Sequence, residues 1–323
     1  MNNLNAIDTT MPVEAPDSPI WPHLSKRGKI DVSATNPPPL NIYYEIFGTG
    51  STHVVFVNGM GADRQMWEPN IGEFLKHPEF SCLVYDHRGT GHSDHKSFAS
   101  YTSSALATDL RNLLSALGWE KVSVVGASMG GMIALEFASS WPQLVHTLTL
   151  AVTNAGLSVP PLKGIVDTVV ANFTSDPLAR FKSICGSIYP REYLESPAPP
   201  QSGCSNMLEF CAQNAMRRSK YSKPMSFASF VGQVGTVFRH YVSPARLANL
   251  GRMLPGKRIL IVTGDEDHLV RTSNSVYLAD KIGREHVVLE VFEGAGHGLT
   301  SQESAKFVAS IIAMIDAANA NQA

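Results

Sequence analysis

Runs of consecutive apolar residues recur along the chain, separated by stretches with helical spacing. Residues 53–57, 80–85, 122–125 and 146–152 are rich in β-branched and aromatic side chains. Runs of that kind predict strands, buried on both faces where polar alternation is missing. Residues 67–75 fit a first helix. Residues 101–117 carry Leu106, Leu110, Leu113, Leu114 and Leu117 on one side, and Gly118 closes that helix. A third helix holds Met132, Leu135 and Phe137 and stops at Trp141-Pro142. Ahead of these, residues 28–32 and 40–47 predict two antiparallel strands, the second alternating Ile42, Tyr44 and Ile46 with Tyr43 and Glu45.

The rhythm breaks at Asn154. From there to about Arg252 no strong strand shows. That segment holds Pro160-Pro161, further prolines at Pro197, Pro199 and Pro200, and helical stretches at 165–173 and 207–216. Strand and helix then alternate again: 258–263, 272–282, 286–292, and a closing helix at 301–315 with Phe307, Ile311, Ile312 and Ile315 inside. Such alternation argues for an α/β fold, a parallel sheet with helices on both faces. The expected division is a flexible arm at 1–27, a first core part at 28–153, a mainly helical lid at 154–252 over the sheet's carboxyl edge, and a second core part at 253–323.

Composition narrows the class. The chain has 323 residues, 44% apolar and 17% charged, enough for a sizeable core. A net charge of -2 without a long basic run argues against nucleic acid as a partner. The longest stretch free of Asp, Glu, Lys and Arg, between Glu136 and Lys163, contains Asn154, Gly156 and Pro160-Pro161. It reads as strand and loop, so no transmembrane segment is expected. No basic start followed by an apolar run is visible at the N-terminus, and Cys82, Cys185, Cys204 and Cys211 show no Cys-x-x-Cys spacing. Both features favour a cytoplasmic chain with free thiols over a Cys204–Cys211 bridge.

Candidate chemistry gathers where the strands end, as it does in open parallel sheets. After 122–125 the chain reads Gly126-Ala127-Ser128-Met129-Gly130-Gly131 and enters a helix. A serine in so sharp a turn has its hydroxyl pushed out of the sheet edge, and its neighbours must be small. A serine hydroxyl needs a base to take its proton and an acid to orient that base. Gly264-Asp265-Glu266-Asp267-His268 follows one strand and Gly294-Ala295-Gly296-His297-Gly298 follows the last. His297 is the expected base, since it lies between glycines just past a strand; His268 is its nearest rival. Asp265, Glu266 and Asp267 compete as the acid, with Asp265 expected to turn its own loop and Glu266 to face water.

These loops and their order along the chain resemble the α/β-hydrolases, over roughly residues 40–315. The resemblance implies an eight-stranded, mostly parallel sheet and hydrolysis with no cofactor or metal. It places the acid at Asp267, and the oxyanion hole at the backbone N–H groups of Met129 and Met60. The loop before Met60 usually begins His-Gly in that family, whereas here it begins Asn58-Gly59. Asn58, Trp67 and Met132 are expected against the substrate. Asp86 to Ser93 resembles the family's Asp-x-Arg-Gly-x-Gly-x-Ser segment and reads as a Gly-rich turn with an internal Asp–Arg contact. In the lid, Met207, Met216, Met225, Phe227, Phe230, Phe238 and Tyr241 are expected to pack onto the sheet, a few of them lining an apolar pocket. Arg217, Arg218, Lys220 and Lys223 read as a solvated helix face.

The expected function is a serine hydrolase cleaving a small, largely apolar carboxylic ester or lactone. Carbon–carbon bond hydrolysis and acyl transfer use the same parts. A ligand receptor on a hydrolase scaffold is the reading from a different class. An Asp nucleophile would mark dehalogenases and epoxide hydrolases of this fold, and Ser128 argues against both.

Overall fold

The apolar runs pair into one sheet in the computed structural model, which describes residues 15–33, 38–95, 100–158 and 177–321. The strands are β1 (Leu24–Asp31), β2 (Asn41–Phe47), β3 (Thr52–Val57), β4 (Phe80–Tyr85), β5 (Val122–Ala127), β6 (Val145–Ala151), β7 (Ile259–Gly264) and β8 (Val287–Phe292). Their order in the sheet is β1-β2-β4-β3-β5-β6-β7-β8. β2 runs antiparallel to both β1 and β4, and every other pairing is parallel. The chain steps from β3 outward to β4, then back across β3 to β5. The loops after β3 and β5 therefore leave the sheet in opposite directions, opening a crevice at their carboxyl ends.

Both faces are covered because side chains alternate along each strand. Val55, Val57, Leu83 and Val124 pack against Leu106, Leu110 and Leu113 of α2 (Ser103–Leu117) and Ile133 and Phe137 of α3 (Met129–Ser140). Val54, Phe56, Cys82 and Val84 pack against Ile71 and Phe74 of α1 (Glu68–Phe74), and against Phe307 and Ile311 near the C-terminus. Each such burial contributes about 1.5–3 kcal/mol. Thr102 caps α2 by accepting from the Ala105 N–H at 3.1 Å, and Gly118 ends it at φ 74.

Between β6 and β7 lie α4 (Pro177–Ile188), α5 (Arg191–Glu195), α6 (Met207–Ser219), α7 (Phe227–Arg239) and α8 (Pro244–Met253). The helix expected at 165–173 lies outside the described residues. After β7 come α9 (Thr272–Ile282), α10 (Leu299–Gln302) and α11 (Ser304–Ala320). The single closing helix expected at 301–315 is thus two. Asn70 Nδ2 donates to the Thr300 carbonyl at 2.6 Å, taking an acceptor that a continuous helix would offer to Ser304.

Other expectations change as well. The arm is not loose throughout 1–27: Ala15 and Ile20 are buried, Ser18 Oγ donates to Glu68, and β1 begins at Leu24. Arg217 and Arg218 are not a solvated face, because both ion-pair with Glu68 at the start of α1. α7 is inverted. It buries Ser229, Gln233 and Thr236 and leaves Phe227 81% and Phe238 76% exposed. Met216 and Tyr241 are also exposed. The cysteines are free. No helix among the described residues is long and apolar enough to cross a membrane.

Candidate active site

β5 runs straight into Ser128, which sits at φ 56 and ψ -122 before α3 begins. Non-glycine residues seldom adopt that backbone, and holding it costs about 1–3 kcal/mol. Its surroundings enforce it. The Ser128 N–H donates to Ala151 O at 2.9 Å, and Thr153 Oγ1 donates to Ser128 O at 2.7 Å. A Cβ on Gly126 would lie 2.4 Å from Gly130 O, and one on Gly130 would lie 2.0 Å from Val57 O. The small neighbours that the sequence requires are where helix and strand nearly touch.

Asp267 and His297 meet. His297 Nδ1 lies 2.9 Å from Asp267 Oδ2. The other carboxylate oxygen accepts from the Leu269 and Val270 N–H groups, each at 2.8 Å. The Asp267 side chain is fully buried and that of His297 is 12% exposed. A carboxylate only accepts, so the imidazole donates through Nδ1, and Nε2 keeps its lone pair. Among the described residues, neither His297 Nε2 nor Ser128 Oγ has a hydrogen-bond partner. The two loops are pressed together: a Cβ on Gly264 would lie 1.9 Å from Ala295 O. Asp265 does not turn its own loop, as expected of it, but accepts from the Gly294 N–H at 2.8 Å. Glu266 and His268 pair with each other at 3.7 Å, both part exposed.

The loop after β3 lies against the serine. A Cβ on Gly59 would lie 3.5 Å from Ser128 Cβ. Gly59 to Ala62 form a turn in which the Ala62 N–H donates to Gly59 O at 3.4 Å, with Gly61 at φ 76. The N–H groups of Met60 and Met129 have no acceptor among the described residues. The Gly61 N–H donates to Gln233 Oε1 on α7 at 2.9 Å.

Asn58, Trp67 and Met132 are the side chains the sequence places against the substrate. All three are buried. Asn58 Nδ2 donates to Tyr85 O at 2.7 Å, and Asn58 Oδ1 accepts from Trp67 Nε1 at 2.9 Å. The pair anchors the loop from beneath. His87 Nε2 donates to Asn58 O at 3.0 Å from the next loop. Burial lowers the His87 pKa to about 4, so the ring there is neutral.

The Asp86–Ser93 turn is held differently from the expectation. Asp86 does not pair with Arg88. It accepts from the Arg64 N–H at 3.0 Å, from Arg64 Nη1 at 3.2 Å and from the His92 N–H at 2.9 Å. Arg88 grips Asp109 with two hydrogen bonds of 2.7 and 2.6 Å. Burial raises the Asp86 carboxyl above its ordinary range, against the opposing pull of Arg64. Arg64 and Gln233 have no motif around them, so nothing in the sequence marks either.

The described residues contain no cluster of three or more His, Cys, Asp and Glu able to hold a metal. A cleft of about 820 Å³ lies between α1 and α4–α6, walled by Phe181, Ile184, Tyr189, Tyr193 and Phe210. Its Tyr189 wall also borders the His297 loop: the Gly298 N–H donates to Ile188 O at 2.9 Å, and Tyr189 Oη lies 2.7 Å from Ser301 Oγ.

A family profile described as alpha/beta hydrolase fold matches residues 52–184. A putative carbamate hydrolase, RutD, from Variovorax paradoxus is 27% identical over 274 residues, covering 84% of this chain and 94% of that protein. A thermophilic esterase from Thermogutta terrifontis superposes with a TM-score of 0.69 at 23% identity, over 91% of this chain and 99% of its own. The enol-lactonase from Burkholderia xenovorans LB400 gives 0.69 at 20% identity, over 90% and 100%. Its eight-stranded, mostly parallel sheet and the strand–turn–helix at Ser128 give the chain the α/β-hydrolase fold, as these structures share it.

Proposed function

We propose that the chain is a serine hydrolase acting on a small carboxylic ester or lactone. Ser128 is the nucleophile, His297 the base and Asp267 the group that orients it. The observation that carries this reading is the 2.9 Å contact between His297 Nδ1 and Asp267, which leaves Nε2 with a free lone pair. Two strand spacings, about 10 Å at about 4.8 Å each, separate the ends of β5 and β7. A carboxylate–imidazole pair rooted after β7 and β8 has the length to reach back across that gap.

In the acylation step Nε2 takes the Ser128 proton as Oγ attacks the carbonyl carbon. The carbonyl oxygen gains charge, and the N–H groups of Met129 and Met60 hold it. The imidazolium, steadied by Asp267, then protonates the departing alcohol, and the C–O bond breaks. Water deprotonated by the same nitrogen attacks the acyl-enzyme and releases the acid. The helices α4 to α8 act as a lid over this edge. Two contacts support that role: Gly298 N–H to Ile188 O, and Gly61 N–H to Gln233.

Turnover of p-nitrophenyl acetate by Ser128→Ala tests the reading. Loss by several orders of magnitude is expected, because such groups act as a unit. A fluorophosphonate probe should label Ser128 in the folded protein. Wild-type turnover in the variant, or no labelling, removes the assignment.

A further inference from the structure

α7 belongs to the segment between β6 and β7, yet its buried face reaches the loop after β3. Gln233 is fully buried. Its Oε1 accepts from the Gly61 N–H at 2.9 Å, and its Nε2 donates to Thr90 Oγ1 at 2.9 Å. The orientation of that amide is dictated by chemistry. A backbone N–H can only donate, so the oxygen must face Gly61 and the nitrogen Thr90. The helix is seated closely enough to deliver it: a Cβ on Gly232 would lie 2.6 Å from the Tyr101 ring.

Gly61 is the third residue of the Gly59–Ala62 turn. A positive φ at this position alone, with the Ala62 N–H on Gly59 O, defines a type II turn. A type I turn at the same residues would flip the peptide between Met60 and Gly61. The flip would turn the Gly61 N–H away and leave a buried amide oxygen unpaired, a state folded proteins avoid. Gln233 therefore selects one of two turn forms. Asn58 fixes the near side of the loop through Tyr85 and Trp67, and Gln233 fixes the far side.

We propose that Gln233 is a positioning residue: by pinning the Met60–Gly61 peptide it holds in place the turn whose first peptide carries the Met60 N–H, which holds the oxyanion. This rests on the oxyanion assignment made under the proposed function. It makes the rate of the chemical step depend on a residue of the insertion that touches no reacting atom.

The test compares Gln233→Met with Gln233→Glu on p-nitrophenyl acetate. Rates are expressed per active site, counted with a fluorophosphonate. A trifluoromethyl ketone serves as the probe of the hole, because its adduct with Ser128 places an oxyanion there. Losing one donor from such a hole lowers kcat by about 10²–10³, so a donor displaced with its unanchored turn in Gln233→Met should lower it about 10- to 100-fold. KM stays near the wild-type value, and the inhibition constant of the ketone rises by the same factor as kcat falls. Gln233→Glu keeps an acceptor for Gly61 and restores most of kcat, even where its melting temperature falls. Wild-type kcat per labelled site and an unchanged ketone constant in Gln233→Met overturn the positioning role and leave Ser128 as nucleophile. An active Ser128→Ala overturns the oxyanion assignment itself. Should Gln233→Met fail to fold, Thr90→Val removes the second anchor of the amide: a smaller fall in kcat at constant KM is expected, and no fall overturns the proposal.

Discussion

Trp67 Nε1 donates to Asn58 Oδ1 at 2.9 Å, with both side chains fully buried. The amide of the asparagine that opens the loop after β3 is therefore engaged with the protein's own interior. Its Nδ2 is taken by Tyr85 O at 2.7 Å, so one amide bridges the 3₁₀ turn at Arg64–Trp67 and the end of β4.

Asn58→Leu should for that reason act on stability before it acts on binding. It strands a buried indole N–H and a buried carbonyl, at about 1–3 kcal/mol for each group left unpaired. Trp67→Phe strands only the Asn58 oxygen and should cost less. Urea unfolding of the two variants checks this. A loss below about 0.5 kcal/mol in Asn58→Leu would show that the bridge contributes nothing measurable.

Close approach at the serine turn gives a second expectation. A Cβ on Gly130 would fall 2.0 Å from the Val57 carbonyl oxygen, and backbone on backbone has no side chain to move aside. Gly130→Ala should cost about 3 kcal/mol or more, or abolish folding. Gly118→Ala is the control. Nothing lies within 4 Å of its Cβ position, and the strain comes only from φ 74. It should cost about 1 kcal/mol. Equal melting temperatures for the two variants would contradict that close packing.

The sequence and the fold agree where a local pattern decides the outcome. The bounds of β4 and α9 can be read to the residue, because an unbroken apolar run and a Thr-to-Ile helical repeat are local facts. The contact between Asp267 and His297 is not local. It depends on β7 and β8 being neighbours, and only the Gly-rich endings of both strands hint at it. Partner choice among charges was not legible. Asp86 has Arg88 two residues away, yet it pairs with Arg64, which the turn after β3 brings to it. α7 shows a further limit. Ser229, Gln233 and Thr236 share one face, while Phe227, Val231 and Phe238 lie away from it. Periodicity reveals two faces but does not say which one the sheet-side loops will accept, and polar partners on Tyr101, Thr90 and Gly61 took the polar one.

Acid should weaken the fold in a defined window. Burial lowers the pKa of His87 and of His240 to about 4. The unfolded chain protonates these rings near their ordinary value of about 6.5, and the folded chain only near 4. Unfolded protein therefore binds more protons between those limits, and stability falls as pH drops from about 6.5 to about 4. Asp86 acts in the opposite sense, since its raised pKa lets the folded state take a proton first. One carboxyl offsets one of the two histidines, so the net slope keeps the histidine sign. Melting temperatures at pH 6.5 and 4.5 check this. His87→Gln keeps a donor for Asn58 O and should lose less stability between them than the wild type. An equal loss would mean that His87 is not held neutral.

The acid assignment is open to a sharper test, because Asp265 and Asp267 differ in what their oxygens hold. In Asp267→Asn the side chain must still accept from the Leu269 and Val270 N–H groups, so its amide oxygen stays on them. The new NH₂ then faces His297 Nδ1, which lay 2.9 Å from the lost carboxylate oxygen. A donor facing Nδ1 forces that nitrogen to accept and moves the ring proton to Nε2. The imidazole keeps its place but presents an N–H to the Ser128 hydroxyl, and cannot take its proton. kcat should fall by about 10³–10⁴ with little change in melting temperature, the scale seen where a triad carboxylate becomes an amide. Asp265→Asn can turn its amide oxygen to the Gly294 N–H and should keep kcat. A reversed outcome, with Asp265→Asn inactive and Asp267→Asn within tenfold of wild type, would move the orienting role to the other carboxylate and detach His297 from the chemistry.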